Sequence, residues 1–322
     1  MSRLGRAREA VRPALKGRLL IAGPAGSGKT RTALMIGEVL AEGGRVLVID
    51  TEKESALTYA DDFQFTHVAW DPPFDPRELT TDLIAAGRDY DVVIVDSLTH
   101  FWRATGGTLD IANGKFTGWA EARPAQEDLV QAILSADAHV IACVRSKMKH
   151  EQVLENGKHV VKKLGVGPIQ DDDLEYEMNV SLSVDMGHTL AVAKSRTVAL
   201  PVGREFKPGH AVDMAELYRD WLKGGEPPAG RDVIDGLVSR LNALPDKARA
   251  AAKQEFVATL GRPEHLTESQ AADAEALVAR HEIAGDGGEV PDSPPDGTET
   301  ATAQAASLPG TTDTSNGKEA AR

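Results

Sequence analysis

The chain has 322 residues, 41% of them apolar, which is enough for one large core and a smaller second unit, and its formal charge is −13. No apolar run approaches the roughly 18 residues needed to span a bilayer, and the acidic balance argues against a protein that coats nucleic acid non-specifically. One cysteine, Cys143, excludes an internal disulfide and reads as a core residue because its neighbours are apolar.

Residues 1–15 are an Arg-rich arm (Arg3, Arg6, Arg8, Arg12) without the apolar segment of a secretory signal, so a cytoplasmic protein with no membrane partner is expected. The run Leu19–Ala22 then leads into Gly23-Pro24-Ala25-Gly26-Ser27-Gly28-Lys29-Thr30, which has the spacing G-x-x-x-x-G-K-[ST], and a helical pattern over Thr30–Glu42 follows. Val46–Asp50, Val92–Asp96 and Val140–Val144 are continuous apolar runs, as expected of parallel strands buried on both faces. Helical patterns at Arg77–Arg88 and Pro124–Ala136 lie between them, and Met178–Val184 and Thr189–Lys194 alternate like antiparallel edge strands. This order predicts a doubly wound, mainly parallel α/β sheet over 16–205, with ligands at the carboxyl ends of its strands.

Residues 206–230, rich in Gly and Pro, are expected as a linker with one short helix near Val212–Leu222. Helical periodicity returns over 231–283, at Val233, Leu237, Leu241 and Leu244, then Ala252–Leu260, then Glu268–Ala279, and predicts a small bundle. Residues 284–322 carry seven acids against two bases with few large apolar side chains, and are expected as a disordered acidic tail.

The motif at 23–30 implies a nucleotide site. Its glycines let the backbone wrap a phosphate with inward N–H groups. Lys29 would reach the β- and γ-phosphates, Thr30 would ligate Mg²⁺, and Arg31 opens the following helix among the nucleotide-contacting residues. Asp96 ends the strongest apolar strand and is the candidate second metal residue. Because Ser97 rather than Glu follows it, a catalytic base must come from elsewhere. Glu52, just past the strand ending at Asp50, is the first candidate, with Glu54 its rival and a solvated loop acid the plain alternative. Lys194 and Arg196, two apart at the end of a late strand, point to one side.

The phosphate loop, the strand-end Asp50-Thr51-Glu52, the strand Val92–Ser97 and the late Lys194-Ser195-Arg196 together resemble the RecA-like ATPase core. The resemblance covers roughly residues 16–205 and is greatest to the core-only RecA relatives of tailed phages, described as single-strand annealing or recombination ATPases. It extends to Asp96–Trp102 and Arg145–Lys149. It implies Mg-ATP hydrolysis between subunits of a ring or filament, Glu52 as base and Lys194 and Arg196 acting on the neighbouring subunit's γ-phosphate. The N-terminal oligomerisation domain of full-length recombinases has no counterpart in these residues.

Single-stranded DNA is the expected partner, with a single-strand DNA-binding protein a further candidate, and the host cytoplasm the site of action for a phage protein. Residues 146–165 hold Lys147, Lys149, Lys158, Lys162 and Lys163 against two acids, a local net +3 that can neutralise phosphates. Trp102, Phe116 and Trp119 cluster among glycines and can stack on bases. The alternatives are a solvated hairpin for the lysines and core packing for the aromatics. Competing functional classes are a KaiC-like nucleotide-switched interaction protein, indifferent to DNA, and a hexameric helicase motor. No LSGGQ-like signature or Arg-rich lid supports an ABC ATPase or a small-molecule kinase.

Overall fold

The computed structural model describes residues 12–155, 158–263 and 266–285, with backbone alone at 148–155, 158–166, 172 and 284–285. The apolar runs form adjacent parallel strands: β1 (Arg18–Gly23), β2 (Val46–Asp50), β4 (Val92–Asp96) and the first part of β5 (His139–Glu155). With β3 (Thr66–Ala69), β6 (Lys158–Pro168), β7 (Val180–Val184), β8 (Leu190–Ser195) and β9 (Glu205–Phe206), the described residues form a nine-stranded sheet. Its order is β3-β2-β4-β5-β1-β7-β8-β9, with β6 paired to β5. Strands β3 through β7 along that path are parallel, whereas β8, β9 and β6 are antiparallel additions. This is the doubly wound, mainly parallel arrangement expected from the apolar runs.

Alternate residues of each central strand serve opposite faces. Leu19, Ile21, Ile94, Ile141 and Cys143 pack under α1 (Lys29–Ala41) and α7 (Ala211–Lys223). Leu20, Val93, Val95, Val140 and Ala142 pack under α2 (Pro76–Asp89) and α5 (Trp119–Ser135). Cys143 is therefore buried in the core. The two layers hold the strand ends rigidly, and the chain crosses from strand to helix at the carboxyl edge.

Three boundaries differ from expectation. Helix α5 begins at Trp119, with Pro124 inside it. Burial of Ala122, Ala125, Gln126 and Leu129 outweighs the lost hydrogen bond of one proline. Strand β5 continues past the apolar run to Glu155, because its polar half pairs with β6 as an antiparallel hairpin. The short helix expected within the linker is α7, but it is no linker element: it buries Met214, Ala215, Tyr218 and Leu222 in the same core as α1.

Arg18 anchors β1. Its guanidinium is buried and donates to the carbonyls of Leu134, Ala136 and Ala138, at the C-terminal end of α5 and just beyond, where a cation suits the helix dipole. Burial lowers its pKa to about 10.

Beyond α7, α8 (Arg231–Ala243), α9 (Asp246–Thr259) and α10 (Glu268–Gly285) enclose their own apolar cluster of Leu237, Leu241, Phe256, Leu277 and Val278. The ion pair of Arg231 with Asp137 (2.7 Å) ties α8 to the sheet domain. The arm at 1–11 and the tail at 286–322 lie outside the described residues. No helix among the described residues is long and apolar enough to cross a membrane.

Candidate active site

The phosphate loop leaves the buried strand β1 and turns directly into α1. Gly26 (φ 81°) and Gly28 (φ 87°) take left-handed conformations that side-chain-bearing residues rarely adopt. A β-carbon on Gly23 would run into the Ser27 hydroxyl and the Val184 carbonyl. Gly28 caps the 13-residue helix α1 without a side-chain hydrogen bond, so its first N–H groups are free to receive an anion. Lys29 Nζ donates to the Pro24 carbonyl (3.0 Å) and so arches over the loop. The Ser27 hydroxyl is buried with no partner. A cavity of about 620 Å³ opens in front of these groups, bounded also by Glu52, Tyr59, Asp96, Arg145, His188 and Lys207. Arg31 lines its rim, exposed, with its guanidinium over the Phe63 ring.

Thr30 and Asp96 meet although 66 residues separate them: Thr30 Oγ1 donates to Asp96 Oδ2 at 2.5 Å. Asp96 is 2% exposed. Burial pushes its pKa up to about 6, against the pull of the Thr30 hydroxyl and the Lys29 charge. A hydroxyl and a desolvated carboxylate at a phosphate cradle form the oxygen donor set that suits Mg²⁺, which keeps most of its own waters. The free loop amides, Lys29 and this pair fit Mg-ATP, with the metal neutralising phosphate charge when bound.

The register aligns Asp50 of β2 with Asp96 of β4, and Glu52 follows at the same edge. Asp50 is taken up locally: it accepts from the Glu52 and Ala56 amides at 2.6 and 2.8 Å. Glu52 faces the cavity, where both its oxygens are held by Arg145, Nε at 3.0 Å and Nη2 at 2.8 Å. Burial by itself would raise the Glu52 carboxyl, yet Arg145, with His100 and Lys29 behind it, holds it below its ordinary value. Glu54, the rival base, sits in a left-handed conformation at the start of a short 3-10 turn and does not line the cavity. His100 Nδ1 lies 2.7 Å from Thr51 Oγ1, which also accepts from the Ser97 amide. Burial lowers the His100 pKa.

Arg145, His188 and Lys207 were not among the expected site residues. Arg145 directly follows the third apolar run, as Asp96 ends the second, and it opens the stretch Arg145–Lys149 that shares the family resemblance; neither signal named it as a site residue. His188 lies in the β7–β8 turn with φ 62°, its Nδ1 2.9 Å from the Ser27 carbonyl. Its approach to the loop is made by the fold and left no mark on local sequence.

Lys194 and Arg196 do not line this cavity. Lys194 Nζ donates to the carbonyls of Tyr176 (2.8 Å) and Met178, and Arg196 donates to that of Tyr176. They form a cationic ledge at the end of β8, with Arg196 half exposed and 3.9 Å from Glu177. Burial, then the neighbouring Arg196 charge, lowers the Lys194 pKa.

Two segments leave the same carboxyl edge as Asp96 and Arg145. After β4 come α3 (Thr99–Arg103) and α4 (Thr108–Ala112), then a turn at Phe116–Gly118. Phe116 is 95% exposed there, while Trp102 and Trp119 lie 6.3 Å apart, ring centre to ring centre. After Arg145 comes the β5–β6 hairpin, with Lys147 exposed near its base. The side chains of Lys149, Lys158, Lys162 and Lys163 lie outside the described residues. Asp171 caps α6 (Asp172–Glu177) by accepting from the Asp173 amide.

A phosphate loop on β1–α1 with its Thr30 facing the acid that ends β4 defines the class: a P-loop ATPase on a RecA-like sheet. Residues 15–204 match the model of an AAA domain family (AAA_24), and the chain belongs to that family. Two solved structures align with it. One is the RadB recombinase, 20% identical over 61% of this chain and 86% of that chain, with a TM-score of 0.37. The other is a KaiC-like protein from the hyperthermophilic archaeon Pyrococcus horikoshii OT3, 13% identical over 60% and 83%, with a TM-score of 0.36. No curated protein matches the chain.

Proposed function

We propose that this ATPase works on single-stranded DNA, in annealing or recombination of the kind tailed phages carry out, and hydrolyses ATP at an interface between subunits. The observation that carries this reading is continuity. The strand that places Arg145 in the nucleotide cavity runs without a break into the lysine-rich β5–β6 hairpin. A change at the phosphate end of β5 can thus be felt along the backbone of that lysine-rich hairpin, and the exposed Phe116 and the Trp102/Trp119 pair lie in the segment that leaves β4 at the same edge.

In the proposed reaction ATP lies with its β-phosphate in the loop amides, Lys29 across the β- and γ-phosphates, and Thr30 and Asp96 toward Mg²⁺. Glu52 orients a water in line with the γ-phosphorus and takes its proton. The new bond joins the water oxygen to phosphorus, and the bond to the β–γ bridging oxygen breaks, leaving ADP and inorganic phosphate. Lys194 and Arg196, outside their own cavity, would enter the neighbouring subunit's cavity and balance the charge that grows on the γ-oxygens.

The test is the steady-state ATPase rate with and without single-stranded DNA at two salt concentrations. Stimulation that fades at high salt supports a DNA-directed ATPase. A rate indifferent to DNA at both salts overturns that reading and favours a nucleotide-switched interaction protein.

A further inference from the structure

We propose that Arg145 exchanges partners with the nucleotide state: it clamps Glu52 while the γ-phosphate position is empty and moves to the γ-phosphate when ATP binds, which frees Glu52 for the water. This rests on Glu52 being the base. Arg145 is thereby a positioning residue that keeps the base idle until there is a phosphate to attack.

The geometry of the clamp is specific. Nε donates to Oε1 and Nη2 to Oε2, a two-pronged pair that occupies both carboxylate oxygens. A carboxylate so engaged is a poor proton acceptor, and Arg145 is also the main opponent of the burial that would otherwise raise its basicity. The pair is not sealed: side-chain exposure is 40% for Arg145 and 25% for Glu52, so water and phosphate can reach it.

The backbone of Arg145 is pinned while its side chain can swing. Its amide donates to Thr99 Oγ1 at 2.8 Å and its carbonyl accepts from the Ile169 amide at 2.7 Å. Its register partner on β1 is Gly23, the first residue of the phosphate loop, so the guanidinium starts beside the cradle. A guanidinium binds phosphate as readily as carboxylate and by the same fork. A terminal phosphate carries about 1.5–2 negative charges at neutral pH against one for Glu52, so it outcompetes the carboxylate. ADP, which ends at the β-phosphate held by the loop, offers no such competitor.

The test is a double-mutant cycle on nucleotide binding. Dissociation constants for a non-hydrolysable ATP analogue and for ADP, both with Mg²⁺, are measured for the wild type, Glu52→Gln, Arg145→Gln and the double variant. Removing the rival carboxylate should release Arg145, so Glu52→Gln tightens the ATP analogue relative to ADP by about 5- to 150-fold, the usual range of site coupling. In the Arg145→Gln background that gain should shrink severalfold, while ADP affinity stays near wild type and shows that the fold and loop are intact. Arg145→Lys, which cannot form the fork, should fall between. An equal effect of Glu52→Gln with and without Arg145, or no preference between the two nucleotides, overturns the exchange. Turnover by Glu52→Gln is a separate readout: a normal rate removes Glu52 as base, whereas a dead enzyme with no coupling leaves the base in place and removes the exchange.

Discussion

The nucleotide cavity and the Lys194/Arg196 ledge belong to one sheet, yet they are finished to different degrees. In the cavity the site residues meet partners within the chain: Thr30 finds Asp96, Lys29 arches over the loop, and Glu52 finds Arg145. On the ledge, Lys194 and Arg196 rest on the carbonyls of Tyr176 and Met178, which need no full positive charge. Apart from the 3.9 Å approach of Arg196 to the half-exposed Glu177, both cations are held by neutral acceptors outside their own cavity. The contrast is between a binding site whose groups meet within the chain and a pair of cations placed outside it.

The largest expected effect falls on the completed side. Lys29→Ala should abolish turnover, and a normal steady-state rate in that variant would remove the phosphate-loop assignment. On the ledge, Arg196→Ala should lower turnover by on the order of 10³–10⁵, the effect of losing a trans-acting arginine, while a single chain's affinity for ADP is unchanged. If ADP affinity falls in step with turnover, the division between cavity and ledge is wrong.

A subtler difference is the pH response of the cavity. Asp96, with its pKa raised to about 6, binds a proton below that value and then makes a poor metal ligand. Mg-nucleotide affinity, measured by titration calorimetry, should therefore strengthen as pH rises from 5 to 7. The metal-free chain responds in the opposite sense. A carboxyl raised on folding contributes stability that is full below its unfolded pKa and is lost as pH rises through the folded value. Asp96→Asn should thus raise the melting temperature at pH 8 and leave it nearly unchanged near pH 3, below the unfolded value. Equal effects at the two pH values would contradict the burial account of Asp96.

The smallest expected effect concerns the aromatic edge. Phe116→Ala should leave the DNA-free ATPase rate unchanged and weaken single-stranded DNA binding by about 1–3 kcal/mol, the worth of one base stack. Fluorescence anisotropy with a labelled oligonucleotide measures it, and unchanged affinity removes Phe116 from the contact surface.

Where features were legible in the sequence, the cause is local. The loop at 23–30 is a contiguous motif, and β1, β2, β4 and the first half of β5 are unbroken apolar runs because both their faces are covered. Asp96 could be placed because a strand end next to a phosphate loop is a chemically defined position. The rest was set by distance along the chain. Glu52 and Arg145 are 93 residues apart, and only the order β2-β4-β5 brings them together. His188 reaches the loop through a turn 161 residues away. The polar half of β5 has no apolar run to announce it, since its partner is the equally polar β6. Helix α7 did carry a signal, with Ala211, Met214, Ala215, Tyr218 and Leu222 at helical spacing, but the surrounding Gly and Pro masked its place in the core.

The most direct test of the ledge's outward role is the ATPase rate of Lys29→Ala and Arg196→Ala subunits mixed in equal amounts, with co-assembly verified by differential tagging. Each homogeneous preparation should be nearly inactive. The mixture should regain a measurable fraction of wild-type turnover, because a Lys29→Ala subunit lends an intact Arg196 to a neighbour with an intact phosphate loop. Co-assembled subunits that remain as inactive as the separate preparations would contradict catalysis across the subunit boundary.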